Sequence, residues 1–143
     1  MPALVDTNVL VYRYDPRHPE KQRRATALLR DGIEAQSLYL AHQGIVEFVA
    51  AVTRPLSGGR PLLAFHEAVR ETEALCDQFV VLLPDELLIR TALRGAAAYQ
   101  LSWFDAHMWA YAERYGIPEI LSEDFQHGRR YGGVRAVNPF LAG

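Results

Sequence analysis

Four carboxylates fall where an apolar stretch ends or is interrupted. Asp6 closes Ala3-Leu4-Val5, Glu47 lies among Ile45, Phe48 and Val49, Asp105 follows Ser102-Trp103-Phe104, and Asp124 follows Glu119-Ile120-Leu121 by two residues. Gathered in one cleft, such acids need a cation, because two unit charges ~4 Å apart repel by about 4 kcal/mol at an effective dielectric of ~20. A divalent ion removes that conflict. Oxygen ligands without Cys or His at zinc spacing select a hard ion, Mg²⁺ or Mn²⁺. Acids of this kind hold one or two ions against a phosphate. Where there are two, ~3.5–4 Å apart, one activates water for in-line attack and the other stabilises the leaving oxygen.

Three of the four acids also have an ordinary explanation. Asp, Thr and Asn favour helix N-caps, so Asp6-Thr7-Asn8 can simply open a short helix. Gln43, Glu47 and Arg54 can share a solvent-facing helical stripe. Ser102 with Asp105 three residues on matches a capping box, although Glu or Gln is the usual partner. What favours chemistry is where the fold would bring the four together.

The elements that must position them alternate. Ala3–Val5 is an apolar strand, and a short helix follows the Asp6 tip. Asp15 to Pro19 is a turn by its prolines, and Pro19 suits the first turn of a basic helix reaching about Glu34. Ser37–Leu40 is a second strand, and about His42 to Thr53 a helix that buries Ile45, Phe48, Val49 and Val52. Pro55 to Pro61 is the clearest loop. A helix from about Leu62 to Asp77, a strand from Phe79 to Leu83 and a helix from about Asp85 to Tyr99 come next. The helix opened by Ser102 ends at Gly116-Ile117-Pro118. Glu119–Leu121 is a fourth strand, His127 to Gly133 a Gly- and Arg-rich loop, and Val134–Val137 a last short strand.

Alternating strands and helices predict an α/β fold, a short central parallel sheet of four to five strands flanked by helices in three layers. In such a sheet the strand ends and the starts of the following helices share one edge, where open α/β sheets bind ligands. Asp6 and Asp124 follow strands directly, and Asp105 lies in the first turn of the helix that feeds the fourth strand. Glu47 is about five residues into its helix, roughly 7.5 Å along at ~1.5 Å per residue. Helical side chains lean toward the N-terminus, which shortens that gap. The four acids can therefore meet.

The chain has 143 residues, half of them hydrophobic, which suits a single domain over 1–143 with a real core. A lone cysteine, Cys76, makes no internal disulfide and fits a reducing compartment. Apolar runs such as Phe79–Leu83 are too short to span a bilayer, so the expectation is a soluble cytoplasmic protein without a membrane partner. A net charge of -2 argues against a generic basic nucleic-acid coat. Setting four of the 17 acids aside as one site leaves 13 acids against 15 Lys and Arg, a mildly basic remainder. All of those cations except Lys21 are Arg, which suits bidentate phosphate contacts; an Arg-rich compositional bias explains them equally.

Together, Asp6-Thr7-Asn8, Glu47 in an apolar helix, Trp103-Phe104-Asp105-Ala106 opening a later one, and Ser122-Glu123-Asp124-Phe125 after a strand resemble the PIN-domain ribonucleases. The likeness is in particular to the VapC-type toxins of bacterial toxin–antitoxin pairs, and it extends to the Asn138-Pro139-Phe140 ending. The resemblance implies an Mg²⁺- or Mn²⁺-dependent endoribonuclease, with Asp6, Glu47, Asp105 and Asp124 as catalytic and metal-holding acids. Thr7 and Ser122 then orient a carboxylate or a metal-held water. Asp124 matches the family's spacing after the hydroxyl residue, and Glu123 is an auxiliary candidate. An RNA substrate, a VapB-type antitoxin and a homodimer are implied as partners. Arg129 and Arg130, in the Gly-rich loop, are candidates for phosphate contact.

A catalytically silent PIN-like module that holds RNA or a protein is the alternative, although all four acids are present. A phospho-acceptor domain fits less well, because no lysine follows Lys21. The chain also has neither a P-loop nor a Gly-x-Gly-x-x-Gly fingerprint.

Overall fold

The computed structural model describes residues 1–141. Strands β1 (Ala3–Val5), β2 (Leu38–Ala41), β3 (Val80–Leu82), β4 (Glu119–Leu121), β5 (Arg130–Tyr131) and β6 (Val134–Val137) form one sheet. Its order is β3-β2-β1-β4-β6-β5. All neighbours are parallel except the β5–β6 pair. The helices are α1 (Thr7–Tyr12), α2 (Pro19–Ala35), α3 (His42–Thr53), α4 (Phe65–Gln78), α5 (Glu86–Tyr99) and α6 (Trp103–Tyr115). None is long and apolar enough to cross a membrane among the described residues.

Period-2 alternation splits the core into two layers. Ala3 and Val5 face a cluster with Val9, Leu29, Phe48 and Leu75, which packs α1 to α4 on one side. Leu4 faces the other, with Leu88, Met108, Trp109 and Ile120 under α5 and α6. Helix α5 lies so close to α6 that a Cβ on Gly95 would come within 2.2 Å of the Trp109 ring. Trp109 in turn donates its indole N–H to the Tyr131 carbonyl at 2.8 Å, tying α6 to β5. Strand β1 pairs with β2 on one side and β4 on the other, so chain connections leave it in opposite directions. Open α/β sheets form their ligand crevice at the carboxyl end of such a switch point. Here that end carries Asp6.

Two expectations change. The sheet has six strands rather than four to five, because Arg130 and Tyr131, inside the expected loop, pair antiparallel with Arg135 and Val134. Gly128 and Gly132, at φ of 83° and 64°, supply the backbone conformations that let so short a segment turn on both sides. Helix α4 begins at Phe65 instead of about Leu62. The Leu63 N–H is used by the Val52 carbonyl, and Ala64 caps the helix with its N–H bonded to the Glu67 side chain.

Candidate active site

The carboxyl edge of the sheet presents Asp6, Ser122 and Asp124 from β1 and β4, with the starts of α1, α3 and α6 around them. Asp6 is 5% exposed although it is an acid. One of its oxygens accepts from the Thr7 N–H at 2.7 Å, and the other accepts from the Ser122 hydroxyl at 2.6 Å. Asp6 therefore caps α1 with its side chain and is also close enough to Asp124 and Asp105 to feel their charge. Burial pushes the Asp6 carboxyl up to about 7, opposed by those two donors and reinforced by the negative charges of Asp124 and Asp105.

Asp105 behaves similarly. The Ser102 hydroxyl accepts from its N–H at 3.3 Å, so it does sit in a helix cap. Its carboxyl is nevertheless raised, by burial first, while Ser102 pulls it down and Asp124 and Glu47 push it up. Four acids are thus close enough to feel one another. Among the described residues none of them forms an ion pair.

Neutral donors hold the outer two. Thr7 donates its hydroxyl to Glu47 at 2.7 Å, and Gln43 donates its amide to the other Glu47 oxygen at 3.1 Å and to the Phe104 carbonyl at 3.1 Å. Asn8 donates to Asp124 at 3.0 Å and to Ser122 at 3.3 Å. The Ser122 oxygen also accepts the Asp124 N–H at 3.0 Å, so this hydroxyl links Asp6 to Asp124 with its hydrogen-bonding capacity filled. Asn8 Oδ1 is buried without a partner.

The donor set is all oxygen and suits a hard divalent ion, which would stabilise the charged form of Asp6 against the burial, and the lesser repulsion from Asp124 and Asp105, that raise it. Among the described residues no three His, Cys, Asp or Glu side chains stand together as a finished ligand group.

Glu123 turns elsewhere. It accepts from the Tyr12 hydroxyl at 2.5 Å and from Lys21 at 2.8 Å, an ion pair across 102 residues of sequence. Arg129 stacks over the Tyr131 ring at 4.5 Å and lies 5.9 Å from the Tyr99 ring, on the β5 flank. Arg130 is exposed on β5. Asn8 and Gln43 are the functional side chains that sequence reasoning did not assign. Gln43 stands four residues before Glu47 on the same helical face, a spacing that could have flagged it.

The chain matches the PIN domain family over residues 3–132 and belongs to it. No curated protein matches it by sequence. Among solved structures, a FitAB complex bound to DNA contains a similar chain, with a TM-score of 0.71 at 19% identity, covering 99% of this chain and 97% of that one. A DNA-bound VapBC from Salmonella typhimurium gives 0.67 at 13% identity, over 95% and 96%. VapC20 of Mycobacterium tuberculosis, a toxin that cleaves the sarcin–ricin loop, gives 0.56 at 16%, over 82% and 86%.

Proposed function

We propose that the chain is a metal-dependent endoribonuclease, the toxin of a VapBC-type toxin–antitoxin pair, hydrolysing RNA phosphodiester bonds. One observation carries this reading: Asp6, Asp105, Asp124 and Glu47 share the carboxyl edge of the sheet, and among the described residues no cation pairs with any of them. Asp6, Asp105 and Asp124, with Glu47, would hold Mg²⁺ or Mn²⁺ as one or two ions. Bound there, the metal supplies water activation and charge neutralisation at the phosphate.

The chain's own residues do the rest. Ser122 keeps the Asp6 carboxylate turned to the cleft, Thr7 and Gln43 fix Glu47, and Asn8 fixes Asp124. Glu123 is neutralised by Lys21 and acts as an anchor for α1 and α2. Arg129 and Arg130 sit on the flank, where they can meet RNA that runs past the site. Shared folds with FitAB, VapBC and VapC20 support an antitoxin partner. Exposed apolar side chains, among them Leu83, Leu87 and Leu93 near α5 and Val46, Phe65 and Val69 on α3 and α4, supply surface for an antitoxin and a second copy.

The test is cleavage of total bacterial RNA by antitoxin-free protein with Mg²⁺, with Mn²⁺ and with EDTA, beside Asp6→Asn and Asp124→Asn. Discrete, metal-dependent products are expected, and each variant should lose more activity than the ~10–100-fold typical of disturbing a ligand's support. Folded Asp6→Asn protein with normal turnover would sink the proposal.

A further inference from the structure

A cleft of about 530 Å³ opens beside the acids, between α1 and α3. Resting on the nuclease reading, we infer that this cleft is a nucleotide subsite. It takes one unstacked base and its ribose next to the scissile phosphate, and Arg54 holds the adjoining phosphate. Its volume lies within the ~300–1,000 Å³ usual for small-ligand pockets.

The sequence of α3 builds one wall. Glu47, Ala50 and Ala51 stand three and four residues apart on one helical face, Arg54 follows as the extended capping residue just past α3, and all four line the cleft. Two alanines in the middle leave room that larger residues would fill. Val11 and Tyr12 of α1 face them. The Tyr12 ring is fixed by its bond to Glu123 and by Lys21 above it at 4.7 Å, and the His18 ring meets it edge-on at 5.5 Å. A base can pack against such rings without regard to its identity.

Charge orients the occupant. Glu47 and Asp124 of the acid cluster line the cleft, and so does Arg54, just past the C-terminal end of α3. Six residues of α3 lie between Glu47 and Arg54, which puts the two about 10 Å apart along the helix at ~1.5 Å per residue. That is room for one nucleoside between a phosphate at the acids and the next at the arginine. Arg17 also lines the cleft, but Asp15 holds its guanidinium through two bonds of 2.9 Å. Arg54 has no ion pair or side-chain hydrogen bond among the described residues, so its donors are available to a ligand anion.

The experiment measures binding of a fluorescent, mixed-sequence single-stranded oligoribonucleotide by anisotropy at several salt concentrations. It uses the Asp6→Asn chain with Mg²⁺ so that the RNA survives. Arg54→Ala is expected to weaken binding about tenfold or more and to lower the salt slope by about 0.7, one single-strand phosphate contact. Arg54→Lys should restore the slope. Ala51→Leu, which fills the cleft without changing charge, should weaken binding and leave the slope alone. Parent-like binding by both Arg54→Ala and Ala51→Leu overturns the subsite and leaves the cleft to a protein partner. So does a parent chain that binds no RNA. The nuclease reading fails separately, when antitoxin-free wild-type protein with Mn²⁺ cleaves no RNA; the Arg54 effect would then still mark a binding site.

Discussion

Asp6 and Asp15 are buried almost equally, at 5% and 3% exposure, yet their carboxyls move in opposite directions. Burial lifts Asp6 to about 7. Asp15 is lowered, chiefly because Arg17 donates to it from its side chain, with burial opposing and the Arg17 N–H helping. The protein thus supplies a cation where an acid is only structural: Arg17 for Asp15, Lys21 for Glu123. At the carboxyl edge of the sheet, among the described residues, the acids meet only neutral donors, as the proposed metal site requires. A buried acid that is hydrogen-bonded but unpaired is costly to the empty fold, so the difference between the two aspartates separates a site from a scaffold.

The largest consequence concerns pH. A raised native value means that the folded chain holds a proton the unfolded chain has lost. Stability contributed by Asp6 is therefore complete below its unfolded value of 3.8 and declines as pH rises to about 7. The metal-free protein should lose on the order of 2–4 kcal/mol across that window. Denaturant melts in EDTA, from pH 4 to 8, would show it. Asp6→Asn should flatten the decline, although incompletely: an amide at position 6 offers Ser122 a further donor when its oxygen already accepts two. A flat profile in the parent would mean that the acids at the edge are not in conflict.

Metal should act against the same penalty. At pH 8, Mg²⁺ or Mn²⁺ at about 100 times its dissociation constant adds about 2.7 kcal/mol if it binds only the folded state. Asp6→Asn and Asp124→Asn should shrink that gain, whereas Glu123→Gln should leave it, because Lys21 and Tyr12 already occupy the Glu123 carboxylate. Loss of the metal effect in Glu123→Gln would return this acid to the ligand set.

How much of this was legible in the residues depends on range. The strands, the helices and the shared edge follow from alternation and end signals, which are local. Strand β5 was hidden, since its two residues, Arg130 and Tyr131, carry no periodicity and acquire their pairing only from β6. The four acids could be placed on one edge from topology, but their division of labour could not. That Ser122 bridges Asp6 and Asp124, or that Glu123 turns to Lys21, depends on contacts across more than 100 positions. Asp105 shows a further limit: the pattern Ser102-x-x-Asp105 marks a cap, and the same residue also lies within reach of the charges of Asp124 and Glu47.

A smaller effect isolates the bridge. Ser122→Ala removes the hydroxyl that serves Asp6, Asp124 and Asn8 together, and should destabilise the fold by about 1–3 kcal/mol. It should also steepen the metal-free pH dependence, because Asp6 loses a donor that lowers it. A purely packing role for Ser122 would change stability without changing that slope.

The smallest effect is at Asp15, and its sign is what matters. A lowered native value gives stability that is present above the unfolded carboxylate range and is lost as pH falls through the native one. Asp15 therefore contributes to the acid limb of the profile, below about 4, on the far side of the Asp6 window. Because Arg17 is half exposed, solvent screens much of the pair, and the loss in Asp15→Asn should amount to a few degrees of melting temperature at pH 7. The informative measurement is the melt of Asp15→Asn from pH 2.5 to 7. The variant should converge on the parent at the acid end and fall below it as pH rises toward 4, with a constant gap above that, while the decline from Asp6 proceeds unchanged at higher pH. If Asp15→Asn altered the higher window instead, the two aspartates would be one coupled system, and the separation of scaffold from site would fail at this point of the cleft.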